Sequence, residues 1–292
     1  MNGVVIRLVG GLGNQMFQYA TARAISLRSD APLLLDVSWY SGSLDRDYAL
    51  SPFRIKADVL PVAPSYKNWF EYWQRWASRL TGSTSRYSYG RRVFSEETFH
   101  FDQAVLRLEA PIYLNGYFQS EKYFLDIRSV ITDEFTLSAP PRFDTQLMLD
   151  RIKATDAICV HVRRGDYITN PTANAYHGVC SMDYYRKGLS VVASNMTRPH
   201  CFVFSDDPAW VRDNFETELP MTLVDIHGVS EAHEDIRLMA ACQSFVIANS
   251  SLSWWAAWLG NSEEKTVVAP RQWFKNSSVK SADLVPKEWI RL

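Results

Sequence analysis

Apolar runs and amphipathic segments alternate near the amino terminus of the chain. Val4–Val9 predicts a buried strand, and Pro32–Asp36 predicts a second strand that ends in an acid. Between them, residues 15–28 repeat apolar side chains at the spacing of one helix face, from Phe17 to Leu27. The pattern predicts a β-α-β unit at the start of the chain.

A second regular stretch follows Pro140-Pro141, where two consecutive prolines stop regular structure. Strand-like and helix-like segments alternate from there onwards, which is typical of a parallel sheet wrapped by helices. We therefore predict an α/β protein with two facing Rossmann-like domains, 1–140 and 141–292. The predicted C-terminal strands are Ala157–Val162, His200–Phe204, Met221–Val224, Phe245–Ala248 and Thr266–Ala269, and the helices are Asp183–Asn195, Pro208–Phe215, Glu234–Cys242 and Ser251–Leu259.

The segment between these stretches, about residues 40–150, is aromatic and broken by prolines. Within it, Trp69, Trp73, Trp76 and Leu80 fall on one face of a predicted helix that also carries basic residues. Such a helix could rest on an anionic membrane surface as a peripheral contact. Packing against its own domain is the simpler interpretation, and the sequence leaves both open.

Composition narrows the class of protein. The chain has 292 residues, is 47% hydrophobic and has a formal net charge of -1, so charge gives no reason to expect a nucleic-acid partner. The four cysteines show no C-x-x-C spacing, which predicts buried free thiols and a reducing compartment. We see neither a signal peptide nor an apolar run of membrane-spanning length, so we expect a cytoplasmic protein, soluble or peripheral.

Polar residues follow three of the predicted C-terminal strands. These are Arg163-Arg164-Gly165-Asp166, Ser205-Asp206-Asp207 and Asn249-Ser250-Ser251. Because ligands of open α/β sheets bind beyond the carboxyl ends of the strands, we expect these groups to converge on one edge. This combination predicts a site for a nucleoside diphosphate.

The chemistry of the three groups supports that prediction. Two arginines offer planar forks to phosphate oxygens, and Ser250 and Ser251 could cap a helix whose N-terminal N–H groups favour an anion. The acids could accept hydrogen bonds from a base or ribose. The alternative is that Arg164 pairs with Asp166 and that Asp206-Asp207 only caps a helix.

Longer motifs resemble those of a known family. His161-Val162-Arg163-Arg164-Gly165-Asp166-Tyr167 resembles the H-x-R-R-x-D signature of α-1,2- and α-1,6-fucosyltransferases. The segments 10–20, 116–120 and 235–255 resemble motifs of bacterial α-1,2-fucosyltransferases, glycosyltransferase family 11, and the resemblance covers nearly the whole chain. These segments include Gly10-Gly11-Leu12-Gly13-Asn14-Gln15, Gly116-Tyr117-Phe118-Gln119-Ser120, Asp235-Ile236-Arg237-Leu238-Met239 and Ile247-Ala248-Asn249-Ser250-Ser251-Leu252-Ser253-Trp254-Trp255.

The resemblance implies a GT-B-like fold with an acceptor-side N-terminal domain and a GDP-fucose-binding C-terminal domain. It implies fucose transfer, with inversion, to the 2-hydroxyl of a galactose-terminated oligosaccharide or glycolipid, as in surface polysaccharide (O-antigen) synthesis. GDP-fucose is then the donor substrate, and neither a cofactor nor a metal is expected.

The resemblance also implies roles for individual residues. Arg163 resembles the essential arginine on the donor diphosphate, and Asn14 resembles an asparagine close to both donor and acceptor. The proton-accepting carboxylate stays open among Asp166, Asp36 and Glu121. The predicted catalytic residues are Arg163, Asn14 and Asp166, and the predicted donor-binding residues are His161, Arg164, Asp206, Asp235, Asn249, Ser250 and Ser251.

Two other classes of function compete with this interpretation. A non-catalytic carbohydrate-binding protein would keep the aromatic residues but has no need of paired arginines. An NAD oxidoreductase is indicated only by Gly11-x-Gly13 with Asp36 downstream, and Met16 stands where the fingerprint needs its third glycine. The six histidines form no H-x-x-x-H pair, so no metal site is predicted.

Overall fold

The protein divides into two compact units, Met1–Phe135 and Thr136–Leu292. This division lies close to Pro140-Pro141. The structure is a computed structural model. It describes residues 2–42, 46–60, 87–88, 90–165, 168, 178–276, 279 and 281–292.

The N-terminal unit is built on a sheet that, within the described residues, has six strands in the order β3-β2-β1-β6-β5-β4. Neighbouring strands are parallel except for the antiparallel β4–β5 pair at one edge. Its elements are β1 (Val4–Arg7), α1 (Leu12–Arg28), β2 (Leu33–Asp36), β3 (Asp58–Val59), β4 (Tyr87–Ser88), β5 (Arg91–Ser95), β6 (Ile112–Asn115) and α2 (Arg128–Glu134), with short 3-10 helices at Tyr40–Gly42, Gln103–Arg107, Glu121–Tyr123 and Leu125–Ile127.

The C-terminal unit contains a second six-stranded sheet in its described part, in the order β12-β11-β10-β7-β8-β9, and every pairing is parallel. Its elements are α3 (Phe143–Lys153), β7 (Asp156–Val162), α4 (Met182–Ala193), β8 (Pro199–Ser205), α5 (Pro208–Asn214), β9 (Met221–Val224), a 3-10 turn (Val229–Glu231), α6 (Ala232–Ala240), β10 (Ser244–Val246), α7 (Ser251–Leu259), β11 (Val267–Ala269) and β12 (Ile290–Arg291).

The central strands are almost continuously apolar because both faces of each sheet are covered. In β1, Val4, Val5 and Ile6 are fully buried, as expected for a parallel strand between two layers of helices. In α7, Trp254, Trp255 and Trp258 are also buried in the core. These tryptophans therefore stabilise the fold and are not available as platforms for a sugar.

The predicted α/β class with two parallel sheets is confirmed. Every C-terminal strand and helix that the pattern predicted is present, with boundaries that shift by at most a few residues. All four cysteines are free, as predicted; Cys159, Cys201 and Cys242 are buried, whereas Cys180 is only partly buried. The predicted amphipathic helix from Trp69 to Leu80 lies outside the described residues.

Candidate functional site

Three neighbouring strands of the C-terminal sheet end in the polar groups that the sequence identified. Strand β7 leads into Arg163-Arg164, β8 leads into Asp206-Asp207, and β10 is followed by Asn249-Ser250. β7 pairs in parallel with both β8 and β10. Because parallel strands end at the same edge, the three groups share the carboxyl edge of this sheet. Asp166, predicted as catalytic, lies outside the described residues.

Asp206 holds the turn that follows β7. Its Oδ1 accepts a hydrogen bond from the backbone N–H of Arg164 at 2.8 Å. Its Oδ2 lies 3.1 Å from Nε of Arg163, and the two side chains are 22% and 19% exposed. The carboxylate therefore binds the arginine turn, a role that the sequence analysis did not foresee for Asp206.

Arg164 is held differently from Arg163. Its guanidinium carbon lies 3.9 Å from the ring centre of Trp210 in α5, a cation–π geometry. Its Nε lies 3.5 Å from Asp207 Oδ2, close enough for an ion pair, but the buried Nε has no hydrogen-bond partner among the described residues. Asp207 also caps α5, because its Oδ1 accepts from the N–H of Trp210. Trp210 was missed because no motif in the sequence links it to the arginines.

The alternation of side chains along β7 decides where His161 points. Ile158, Val160 and Val162 pack into the core cluster that contains residues of α4. His161 therefore lies on the opposite face, where its Nδ1 is 2.9 Å from Oγ of Ser253 in α7. Sequence reasoning missed Ser253, although its position three residues after Ser250 places both on one side of α7.

His161 is uncharged at neutral pH. Burial lowers the pKa of its imidazole to about 4, Asp206 opposes that shift, and Arg163 adds to it. The residue is only 3% exposed. The edge thus combines a neutral imidazole with two guanidinium groups.

The N-terminus of α7 adds a further positive element. Ser250 occupies the N-cap position, but its hydroxyl makes no capping hydrogen bond, so that part of the capping prediction is wrong. The first turn contains no acidic residue. The positive end of the helix dipole is therefore not neutralised by a side chain of the helix itself. Ser251, the first residue of the helix, is partly exposed.

The amide of Asn249 contacts protein instead of opening towards a ligand. Its Nδ2 donates to the carbonyls of Gly178 and Trp273 at 3.3 and 3.1 Å. Its Oδ1 is 3.8 Å from the sulfur of Cys180, and the residue is 3% exposed. These contacts show that Asn249 joins two loops, and donor binding by its side chain stays a prediction.

Asp235 lies in the first turn of α6 and contacts a histidine that the sequence analysis missed. Its Oδ1 is 2.8 Å from Nδ1 of His227, and Nε2 of His227 is 2.9 Å from Oγ1 of Thr145. Burial raises the pKa of the Asp235 carboxyl, and the hydrogen bond to His227 opposes this shift. The side chain of Asp235 is 29% exposed, whereas that of His227 is fully buried.

In the N-terminal unit, amide side chains hold the loop after β1 in place through hydrogen bonds. The buried Gln15 donates to the carbonyls of Gly10 and Asp47 and accepts the N–H of Ala49. Asn14 accepts a hydrogen bond from Nε2 of Gln119 at 2.8 Å. Gln15 thus fixes the shape of this loop.

Gly10 itself requires the absence of a side chain. Its φ of +79° favours glycine, and a Cβ at this position would lie 2.6 Å from Nδ2 of Asn14. The glycine therefore allows the close approach of Asn14 to the loop. The predicted role of Asn14 at the donor and acceptor stays a prediction.

The two described candidates for the proton-accepting carboxylate are both buried. Asp36 is 4% exposed and accepts hydrogen bonds from the Tyr113 hydroxyl and the Ser38 N–H. Glu121 is 9% exposed at the start of a 3-10 helix. The role of either residue as a base stays a prediction.

Glu96 is a further carboxylate that sequence reasoning missed. It follows β5, and its Oε2 accepts the backbone N–H groups of Tyr117 and Phe118 at 2.7 and 3.0 Å. Burial raises the pKa of Glu96, although these hydrogen bonds oppose the shift. A Cβ at Gly116 would lie 2.5 Å from the Glu96 Cβ, so glycine permits the contact. Only its place after a strand could have identified it.

Among the described residues, no group of three or more His, Cys, Asp or Glu side chains is arranged to hold a metal ion. In the same part of the chain, no helix has the length and apolar character needed to cross a membrane.

The sequence of residues 2–292 matches glycosyl transferase family 11. The chain is 31% identical to an alpha-1,2-colitosyltransferase of Escherichia coli, covering 100% of this chain and 99% of the relative. It is 32% identical to the O-antigen biosynthesis glycosyltransferase WbnK of Escherichia coli, over 98% and 99% of the two chains. A galactoside alpha-(1,2)-fucosyltransferase 2 of Sus scrofa is 26% identical over 88% of this chain and 70% of its own length.

A solved structure supports the fold. A point mutant of Arabidopsis thaliana FUT1, in complex with GDP, aligns with a TM-score of 0.51 at 14% identity, over 98% of this chain and 74% of its own. The predicted GT-B-like fold class is thereby confirmed. Since the family match spans the chain from residue 2 to its last residue, the protein is a glycosyltransferase and belongs to glycosyl transferase family 11.

Proposed function

We propose that this glycosyltransferase moves L-fucose from GDP-fucose to the 2-hydroxyl of a terminal galactoside, with inversion at the anomeric carbon. The observation that carries the proposal is the carboxyl edge of the C-terminal sheet. There, Arg163, Arg164 and the N-terminus of α7 follow neighbouring strands in a family 11 chain. Neither a carbohydrate-binding protein nor an NAD oxidoreductase needs this arrangement.

In this proposal, Arg163 stabilises the departing diphosphate. As GDP leaves the sugar, negative charge grows on the oxygen of the β-phosphate. A guanidinium held in place stabilises that charge more in the transition state than in the ground state, which lowers the barrier. Arg164 and the hydroxyls of Ser250 and Ser251 are proposed as further phosphate contacts, together with the α7 N–H groups.

Asp235 and His161 are the proposed contacts to guanosine. A carboxylate can accept both N1–H and N2–H of guanine, and the Asp235 side chain is partly exposed. His161 is almost fully buried and already contacts Ser253. We therefore assign Asp235 the direct contact to the base.

The acceptor is proposed to bind the N-terminal unit, as a galactose-terminated oligosaccharide or glycolipid. Trp39 is partly exposed and packs edge-on against Tyr40, whose hydroxyl donates to the Gly10 carbonyl. A sugar ring can stack on such an aromatic side chain. We expect Trp39→Ala to raise the KM for the galactoside at least several-fold and to leave the KM for GDP-fucose unchanged.

We further propose that turnover needs no divalent cation, because the arginines would neutralise the diphosphate. The assay is run with excess chelator and again with added Mn²⁺. Full turnover in chelator is expected. Turnover that disappears in chelator and returns with Mn²⁺ would contradict this part of the proposal.

A colitosyl donor is the second candidate, since an alpha-1,2-colitosyltransferase is among the relatives that match the full chain. The purified protein is incubated with GDP-fucose or GDP-colitose and a panel of galactosides, and the products are analysed for linkage. An α-1,2-linked fucoside is expected. Exclusive transfer of colitose would replace the proposed donor sugar but keep the reaction class.

Thermal shifts provide a test of the nucleotide that does not depend on turnover. We expect GDP and GDP-fucose to raise the melting temperature, and UDP and NAD to leave it unchanged. Stabilisation by NAD alone would overturn the proposal. The proposed setting is O-antigen synthesis in the cytoplasm at the inner face of the membrane, which fits the name of WbnK; membrane contact through Trp69–Trp76 remains a prediction.

A further inference from the structure

The carboxylate of Asp206 contacts Arg163 and Arg164 in the turn after β7 and leaves no room for a side chain at Gly165. One oxygen accepts the N–H of Arg164 and the other pairs with Nε of Arg163. A Cβ added to Gly165 would lie only 2.5 Å from Oδ2 of Asp206. The turn is therefore shaped around this single carboxylate.

The sheet register explains why Asp206 reaches the turn. Val162 and Ser205 are paired at the ends of β7 and β8, so Arg163 and Asp206 directly follow paired residues of adjacent strands. The pairing of the two strands therefore places both residues side by side. The carboxylate needs no long or mobile connection to reach the guanidinium.

A contact at Nε has a specific effect on an arginine. It fixes rotation about the last side-chain bonds, and so it sets the plane in which the planar guanidinium lies. The pair is about four-fifths shielded from solvent on both sides, so screening weakens it less than an exposed ion pair. Both Asp206 oxygens are engaged by the turn, which argues against a role at the base or ribose.

We propose that Asp206 is a positioning residue that sets the orientation of Arg163 for the departing diphosphate, and that a side chain at position 165 would displace its carboxylate. The inference rests on the proposed function only in taking Arg163 as the contact to the diphosphate. It removes Asp206 from the set of predicted donor ligands.

The test is a double-mutant cycle on the full-length protein. Asp206→Asn keeps the size of the side chain but loses the charge that pairs with Nε. We expect kcat to fall at least about tenfold while the KM for GDP-fucose changes by less than about threefold, because the orientation matters most as charge develops. In an Arg163→Ala background, Asp206→Asn should cause no further loss of kcat beyond about twofold.

Gly165→Ala provides a second variant if Asp206→Asn does not fold, and the same dependence on Arg163 is expected for it. Asp156→Asn is the matched control. Asp156 accepts the N–H groups of Thr197 and Arg198 at the opposite end of β7, so its loss affects stability but not kcat.

The outcomes separate the two proposals. If Arg163→Ala alone leaves turnover intact, the proposed function of Arg163 fails. If Arg163→Ala abolishes most turnover but Asp206→Asn multiplies the loss in that background, Asp206 acts independently and the positioning role is wrong. A fall in kcat for Asp156→Asn as large as for Asp206→Asn would also overturn it, because general loosening of β7 would then explain the effect.

Discussion

The two sheets of this glycosyltransferase present different chemistry at their carboxyl edges. In the N-terminal unit, the neutral amides of Gln15 and Gln18 bind backbone groups of neighbouring loops. In the C-terminal unit, Arg163 pairs with Asp206 and Arg164 with Asp207. Both glutamines are fully buried, whereas the arginines are partly exposed.

This difference separates side chains that fix a shape from side chains that can exchange partners. A fully buried amide cannot leave its backbone partners without a cost of about 1–3 kcal/mol for each orphaned group. A partly exposed guanidinium has several donors, and it can bind a phosphate while one donor still contacts its carboxylate. The comparison predicts loss of stability when the buried glutamines are replaced and loss of turnover when the arginines are replaced.

The largest expected effect comes from Arg163→Lys. Lysine keeps the charge but loses the planar fork and the Nε contact to Asp206. We expect kcat to fall by roughly 100-fold or more, equivalent to about 3 kcal/mol, with little change in melting temperature. Near-normal turnover would show that charge alone is sufficient. Unfolding of the variant would instead show that Arg163 stabilises the fold. The proposed difference between the stabilising glutamines and the catalytic arginines would then be wrong.

The acid stability of the C-terminal unit should depend on His161. Burial holds its pKa at about 4 in the folded protein, below the value of about 6.5 in an unfolded chain. Between about pH 6.5 and 4 the unfolded state therefore binds the proton first, and the free energy of unfolding decreases as the pH falls. Above pH 6.5 both states are neutral and the contribution vanishes.

We expect this decrease to reach about 3 kcal/mol, and to be absent from His161→Asn. Chemical denaturation of both proteins across this pH range measures it. Parallel curves for the two proteins would contradict the prediction, since the remaining titrating groups are common to both.

The N-terminal edge is tested by Gln18→Leu. Gln18 accepts the N–H of Val9 and donates to the carbonyl of Gly116, at 3.1 and 3.0 Å. Leucine fills a similar volume but leaves both backbone groups without these partners. We expect a loss of about 2 kcal/mol in the free energy of unfolding, measured by denaturation, and turnover per folded molecule close to wild type below the melting temperature. A stable variant with strongly reduced turnover would contradict the prediction that Gln18 stabilises the fold and does not act in turnover.

Hydrophobic pattern was sufficient for the C-terminal fold but not for its contacts. Strand-like and helix-like segments located β9 and α7 with their observed ends, because strands of a parallel sheet are short apolar runs separated by helices. The partners of the arginines depend on strand order and on loops. The sequence does not specify that β8 lies directly beside β7. The contact of Asp206 with Arg163 and the contact of Trp210 with Arg164 could therefore not be predicted.

In the N-terminal unit, the hydrophobic pattern was not sufficient to predict every strand. β5 and β6 lie in the irregular, aromatic stretch where periodicity is weak, so Glu96 at the end of β5 could not be placed at the edge. The motif at residues 10–20 resembles a family motif. Its glutamines, Gln15 and Gln18, form hydrogen bonds with backbone groups of nearby loops. A motif residue can thus mark a required shape instead of a contact to substrate.

The smallest of the expected effects concerns Asp235, which lies in the first turn of α6 and contacts His227. Asp235→Asn removes one acceptor for guanine, and we expect GDP to bind about tenfold more weakly, or about 1.4 kcal/mol, with the fold retained. His227→Gln is the companion variant, because it disturbs the 2.8 Å contact that orients Asp235 while leaving the carboxylate in place. Isothermal titration with GDP and with IDP, which lacks the N2 amino group, distinguishes the roles. Wild type should prefer GDP, Asp235→Asn should lose most of that preference, and His227→Gln should keep part of it. Equal affinity of wild type and Asp235→Asn for GDP would remove Asp235 from the nucleotide site and leave a structural role, in which His227 links Asp235 of α6 to Thr145 of α3.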